Sequence, residues 1–385
     1  MSSTEYSEDI YERLANVLDS LPQGFPRTES GVEIKLIKLA FTPEEVSLAC
    51  QMSRTSETAA EIAERLGLEE VRVTALLEGL IPRKLVRLDA VGGASYPGMA
   101  PTVQGVKKYR LGAFMVGWYE ANMRILGKEF AELFEQYVIE GGGERILAPR
   151  PGVMNVVPVR GSLKPELMKT VEPHLDIDAH FRRHERFLVL PCVCKREKEL
   201  LGQHDYKTPM KRCGFIGLPP QTPLGENVLD REEANKLFYA LEEMGHVHNA
   251  VYGFVMDAEP PQFVGTCNCC RCCCGIFANN QIPQASNYRV IKDYDKCSSC
   301  GSCVERCPTY AHTESDVRVD GKPLYDRTKC IGCGVCVIGC APEALELEPV
   351  SAEEWFHTPS SMAEWEEMRL QNLAAEKRSL RPENR

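Results

Sequence analysis

Two stretches near the end of the chain carry thiols at metal-ligating spacing. KCSSCGSCVERCPTYA begins at Lys296 and KCIGCGVCVIGCAPEAL at Lys329. Cys297, Cys300, Cys303 and Cys307 map onto Cys330, Cys333, Cys336 and Cys340 with one 33-residue offset, and both copies read C-x2-C-x2-C-x3-C. Three thiolates at x2 intervals on one tight loop can cap three irons of a cubane. The fourth points away along the next turn and can complete the cluster held by the other loop. Gly301, Gly332 and Gly334 let the backbone bend towards the sulfides and present N–H groups to them. Upstream lies CNCCRCCCG, residues 267–275, with six thiols in eight residues. A packed core has no need of them, and adjacent cysteines make poor disulfides because their side chains diverge.

The chain holds 18 cysteines in 385 residues, and all but Cys50 lie between Cys192 and Cys340. Cys50 shares a helical face with Val46 and Ala49 and reads as a core thiol. The opening MSSTEYSEDIYERL is polar and acidic, without a basic-then-apolar leader. The longest uncharged apolar runs, 111–119 and 187–194, are too short for a bilayer span. The expectation is a cytoplasmic protein without a membrane span, in a compartment that disfavours structural disulfides, so the thiols imply metal or redox chemistry. A net charge of −10 argues against non-specific binding to nucleic acid or anionic membrane.

The paired loops resemble the bacterial two-[4Fe-4S] ferredoxin domain, over about residues 288–348. That resemblance implies one cluster on Cys297, Cys300, Cys303 and Cys340, and a second on Cys330, Cys333, Cys336 and Cys307. The segment VLPCVCKREKELLGQHDYKTPMKRCG resembles a motif of iron–sulfur proteins from anaerobes. There a Cys-x-Cys and a basic residue precede a CNCC-type loop and a dicluster ferredoxin domain. His204 stands where that pattern often has a cysteine, so Cys192, Cys194, Cys213 and His204 are a candidate mixed-ligand set. With Cys267, Cys269, Cys270, Cys272, Cys273 and Cys274, the upstream thiols number nine, enough for one or two additional iron–sulfur clusters. In an extended stretch Cys270, Cys272 and Cys274 would face one way and Cys267, Cys269 and Cys273 the other. A zinc–thiol knot and a metal-free redox dithiol are the alternatives. His246 and His248, in GHVHN, could donate hydrogen bonds to such a centre.

The elements that must position these residues read as an α+β chain in four parts. Residues 1–145 form a mostly helical, winged-helix-like domain, 146–287 a Cys-rich α+β iron–sulfur domain, 288–348 the dicluster ferredoxin domain, and 349–385 a helical tail. Residues 40–112 resemble the winged helix-turn-helix of bacterial regulators. Three helices start at Thr42 (with Pro43 and two glutamates in its first turn), near Thr58 and after Gly67, and a hairpin joins Leu85–Leu88 to Lys108–Leu111. From Thr42 to Asp89 the chain carries nine acidic and six basic residues, with Glu69 and Glu70 where phosphates would lie, so DNA is an unlikely partner despite Arg72, Arg83, Lys84 and Arg87. Residues 113–140 predict two amphipathic helices, and Asp230–Met244 a third. Trp355, Phe356 and Trp365 in the tail could anchor it to a partner or to the chain itself.

No P-loop, dinucleotide fingerprint or nucleophile elbow occurs. The expectation is an iron–sulfur electron-transfer protein or subunit of an anaerobic oxidoreductase. It would relay low-potential electrons to a redox partner or catalytic subunit within a hetero-oligomeric complex. An enzyme reducing its substrate at the Cys-rich centre and a redox-responsive winged-helix regulator are the alternatives.

Overall fold

The computed structural model describes residues 3–90, 106–171, 175–203, 212–251, 265–277, 283–313, 321–359 and 361–379. The chain divides into two compact units: Met1–Ile146 with Arg196–Gln203 and Arg369–Arg385, and Leu147–Lys195 with His204–Met368.

In the first unit, helices α1 (Ser3–Asp19) and α2 (Val32–Ala40) precede α3 (Pro43–Ala49), α4 (Ala59–Leu66) and α5 (Glu70–Leu80). Capping explains where the middle helices begin. Thr42 and Thr58 each accept from the backbone N–H three residues on, and Glu45 and Glu61 return the bond, two complete capping boxes. Strands β1 (Val86–Ala90) and β2 (Lys107–Leu111) then pair antiparallel, with Val86 opposite Leu111. The expected three helices and hairpin are therefore present.

The next segment differs from expectation. The predicted helix over FMVGWYEANMRILG is broken: Met115, Val116 and Gly117 have non-helical dihedrals, and regular helix begins only at α6 (Tyr119–Met123). The Glu120 carboxylate accepts from the N–H groups of Val116 and Gly117, at 2.9 and 2.8 Å, which satisfies the backbone that a helix would have paired. The apolar spacing is met by packing instead. Phe114 and Trp118 are buried against Phe25, and α7 (Gly127–Ile139) adds Phe130, Phe134 and Tyr137. A short α8 (Gly142–Leu147) follows.

The second unit is built on a six-stranded antiparallel sheet. Its strands are β3 (Met154–Val157), β4 (Arg186–Pro191), β5 (Arg212–Leu218), β6 (Val228–Asp230), β7 (Val247–Val251) and β8 (Gly265–Cys269), in the order β3-β7-β8-β5-β4-β6. Helices α9 (Ile177–Arg183) and α11 (Arg231–Glu243) cover one face. There Phe181, Phe187, Val189, Phe215, Phe238, Leu241 and Ala250 make a core, worth about 1.5–3 kcal/mol for each fully buried large side chain. The α11 signal holds, with Asp230 capping Glu233 N–H at 2.9 Å. Helix α10 (Val193–Leu200) leaves the end of β4 directly after Cys192.

The paired loops fold as two similar halves. Strand β9 (Tyr288–Lys292) pairs antiparallel with β12 (Leu345–Pro349), and a small ladder joins β10 (His312–Thr313) to β11 (Leu324–Tyr325). Helices α12 (Ser302–Arg306) and α13 (Val335–Ile338) each carry the third cysteine of their loop, Cys303 and Cys336. The tail helix, α14 (Met362–Ser379), starts later than residue 351. Trp365 is buried and donates to the Gly152 carbonyl at 3.0 Å, so it anchors the tail to the chain itself. Arg369 gives its guanidinium to the carbonyls of Pro22 and Ile146 in the first unit. None of the described helices is long and apolar enough to cross a membrane.

Candidate metal centres

The repeat of the C-x2-C-x2-C-x3-C loops extends to the backbone. Ser299 and Gly332 are left-handed (φ 60° and 68°), as are Gly301 and Gly334 (80° and 76°) and Tyr310 and Glu343 (55° and 51°). Each pair is separated by the same 33-residue offset as the cysteines. Gly332 also sits where a Cβ would meet the Tyr288 carbonyl oxygen at 2.0 Å, so only glycine fits. Cys297, Cys300, Cys303 and Cys340 line one cleft, together with Gly301, Ser302 and Pro342. Burial pushes the Cys303 thiol up, and Cys297, Cys340 and Cys300 add to the push. Burial raises Cys333 and Cys336 further, and there the contributing neighbours include Cys307 and Cys330. Cys307, Cys330, Cys333 and Cys336 are all buried, whereas Cys300 is exposed.

The nine upstream thiols do not sort as an extended strand would sort them. Strand β8 ends at Cys269, and residues 271–273 turn, with Cys274 N–H bonded to the Cys270 carbonyl. Period-two alternation therefore stops at Cys269, and the expected three-and-three split fails. Six thiols instead follow one another in a closed ring in which each acts electrostatically on two neighbours, Cys192, Cys194, Cys274, Cys269, Cys267, Cys213 and back to Cys192, with Cys269 donating to Cys267 at 3.8 Å. The acidities alternate around it. The neighbouring Cys194 and Cys213 hold Cys192 well below the usual thiol range, Cys194 and Cys269 do the same to Cys274, and Cys213 and Cys269 bring Cys267 to about 6. Cys194, Cys213 and Cys269 are pushed well above that range, by these same neighbours first and by burial second. Backbone N–H groups of Lys195 and Ile276 point at Cys192 and Cys274.

Sheet register brings the ring together. Cys267 pairs with Gly214, next to Cys213, and also with Asn249 on β7, while Cys269 pairs with Val247. Cys192 and Cys194 arrive at the start of α10, from the end of β4, where the register shifts between Leu190 and Pro191. The remaining three thiols, Cys270, Cys272 and Cys273, form a separate triad with Sγ atoms all within 4.8 Å of one another. Cys272 raises Cys270 to about 12, and Cys270 raises Cys273 still further.

Several supporting residues gave little sign of themselves in the sequence. Asn268, between two ring cysteines, donates to the Cys213 carbonyl at 2.7 Å and pairs with His248. His248 continues to Glu242 at 2.9 Å, and Glu242 to Arg160 at 2.9 Å. His246 directs Nδ1 at the Asn268 carbonyl, 3.0 Å away. A carbonyl only accepts, so the proton lies on Nδ1 and leaves Nε2 bare. That Nε2 is buried without a partner among the described residues, in the tautomer a metal-ligating histidine adopts. Arg271 reaches the Val304 carbonyl of α12 at 2.8 Å and lies over the Tyr310 ring at 3.9 Å. Arg306, from α12, donates to the carbonyls of Glu242, Glu243 and Val335. A polar residue set between cysteines was the one available signal for Asn268 and Arg271. His204 lies outside the described residues.

The donor sets fit thiophilic metal. All eighteen cysteines are free thiols, and seventeen gather in groups of three or more. Residues 289–342 match the family model of the 4Fe-4S dicluster domain. No curated protein and no solved structure matches the chain. The dicluster domain implies two [4Fe-4S] clusters and, with them, electron transfer.

Proposed function

We propose that the chain relays electrons between a redox partner and a catalytic subunit of a hetero-oligomeric complex, through the two ferredoxin-type clusters and a third iron–sulfur cluster in the six-thiol ring. The observation that carries this reading is the ring itself: six thiols from β4, α10, β5, β8 and the following turn, in the same unit as the dicluster region and tied to it by Arg271 and Arg306. The clusters, when bound, supply one-electron chemistry. The protein supplies the thiolates, the N–H groups of Lys195 and Ile276, and burial that excludes water.

Within the dicluster region, the cleft shared by Cys297, Cys300, Cys303 and Cys340 supports crossed ligation, with Cys307 joining Cys330, Cys333 and Cys336. The first set reaches the surface at Cys300 and is the natural point of exchange with a carrier. The second is the inner step. We read the helices and hairpin of residues 40–112 as a winged-helix-like docking module, not a DNA reader. Arg72 is held by Glu44 and Arg83 by Glu45, which removes from phosphate contact two of the four basic residues, Arg72, Arg83, Lys84 and Arg87, that could have favoured DNA.

The test is iron and acid-labile sulfide per chain on anaerobically purified protein, with EPR during stepwise reduction. The reading expects about twelve irons or more and a signal separate from the ferredoxin pair, both lost in Cys192→Ala/Cys213→Ala. A value of about eight irons, unchanged in that variant, would remove the third cluster.

A further inference from the structure

The three thiols outside the ring differ from the other thiol groups among the described residues by their closeness. Cys270 and Cys273 stand 2.8 Å apart, Cys272 and Cys270 3.4 Å, and Cys272 and Cys273 3.9 Å. Among the described residues, no other three cysteines have all their sulfurs within 4.8 Å of one another. That includes the eight ferredoxin-loop cysteines, which act as an internal ruler. Thiolates that cap a cubane stand outside its corners and must be spread apart. Those that share one ion, with metal–sulfur bonds of about 2.3 Å, stand about 3.8 Å apart in a tetrahedron. No three of the ferredoxin-loop thiols come within 4.8 Å of one another, in keeping with the first pattern. The triad follows the second, and its shortest pair need open by only about 1 Å to meet it.

We propose that Cys270, Cys272 and Cys273 form a site for a single thiophilic ion of the Zn²⁺ class, distinct from the iron–sulfur ligands on either side. Local chain geometry supports it. The turn over residues 271–273, closed by the Cys274 N–H to Cys270 carbonyl bond at 3.3 Å, folds C-x-C-C back on itself. Arg271, inside the triad, is turned away to Val304 and Tyr310 and leaves the three sulfurs to converge. Two of the three thiols are buried and Cys272 is half-buried. Three thiolates also leave one tetrahedral position for a further donor, as in ion sites that do more than brace a fold. The site stands whether or not the ring holds a cluster, because the two groups share no residue.

The experiment is metal analysis of the full chain, purified without oxygen from zinc-supplemented cells, with X-ray absorption at the zinc edge. Wild type is expected to hold about one zinc per chain with sulfur neighbours at about 2.3 Å. Cys270→Ala/Cys272→Ala/Cys273→Ala should lose it while iron, sulfide and the ferredoxin EPR signals stay unchanged. Because the triple variant could misfold, Cys272→Ala is measured beside it. Its zinc should pass to a competing chelator at least about tenfold more readily, at constant iron. Loss of iron from Cys272→Ala would overturn the proposal, since the triad would then serve a cluster. Zinc retained by the triple variant, zinc absent from wild type, or a Cys270–Cys273 disulfide in its place would overturn it as well.

Discussion

Arg271 and Tyr310 stack with the guanidinium 3.9 Å from the ring centre. They belong to different motifs: Arg271 divides CNCC from CCC, and Tyr310 follows the last cysteine of the first ferredoxin loop. With the bond to Val304, this stacking ties the Cys-rich turn to the dicluster region. A cation–π contact of this kind is worth about 0.5–2 kcal/mol, small for stability, and in the relay proposed above it would hold the separation of the two regions. Arg271→Ala should keep its iron and sulfide yet slow electron transfer between the dicluster signals and the upstream centre, read by freeze-quench EPR after a reductant pulse. An unchanged rate would mean that the contact does not set the path.

The two ferredoxin-loop sets differ in exposure, Cys300 being exposed and Cys333 buried. Cys300→Ala is expected to depress exchange with an external carrier at least about tenfold and leave the fold intact. Cys333→Ala should instead lower the melting temperature of the dicluster region, because a buried cluster holds together the core around Val290 and Leu347. Carrier kinetics and calorimetry on both variants check the contrast, and equal effects would contradict the inner and outer assignment.

Gly332 offers a sharper structural test. Its φ is 68° and an added Cβ would lie 2.0 Å from the Tyr288 carbonyl oxygen. Gly332→Ala should cost more than the roughly 1–2 kcal/mol of left-handed strain alone, and iron content should fall with it. Ser299, at the matching position of the other loop, already carries a side chain at φ 60°. Ser299→Ala should therefore be nearly silent in the same iron assay.

Glu197 gives a pH dependence in the first unit. Burial pushes its carboxyl up to about 8, and Glu135 adds to this, while Tyr119 and Lys198 oppose it. The folded state then binds a proton that the unfolded chain releases near the ordinary carboxylate range. Stability from this group is full below that range and is lost as pH rises to about 8. Glu197→Gln should flatten the fall of melting temperature between about pH 5 and pH 8 and raise it at the alkaline end. A variant with the wild-type slope would show that another group governs it.

The features that could be read from sequence were those set by local chemistry. Each ferredoxin-type loop places its four cysteines within eleven residues, Cys297 to Cys307 in the first, so the 4Fe-4S dicluster domain was legible in the spacing. The helices at Pro43, Ala59 and Arg231 announced themselves through Thr42, Thr58 and Asp230. The break at Met115–Gly117 did not, because Phe114 and Trp118 keep helical spacing while Glu120 captures the backbone between them. The six-and-three division of the upstream thiols was equally hidden. It depends on β8 ending at Cys269, and on the register that sets Gly214 opposite Cys267, and neither is encoded in the spacing of CNCCRCCCG.

That same register governs the order in which the protein can be built. With the crossed ligation proposed above, the ferredoxin loops complete both ligand sets within 44 consecutive residues, Cys297 to Cys340. The ring draws on a longer stretch, since Cys194 and Cys274, 80 positions apart, meet only after β4, β5 and β8 have paired. Pairing at such separation is intrinsically slow. A cluster bound in the ring would thus report a finished sheet, and a chain stalled before that point would have complete ferredoxin-type loops and unassembled upstream thiols.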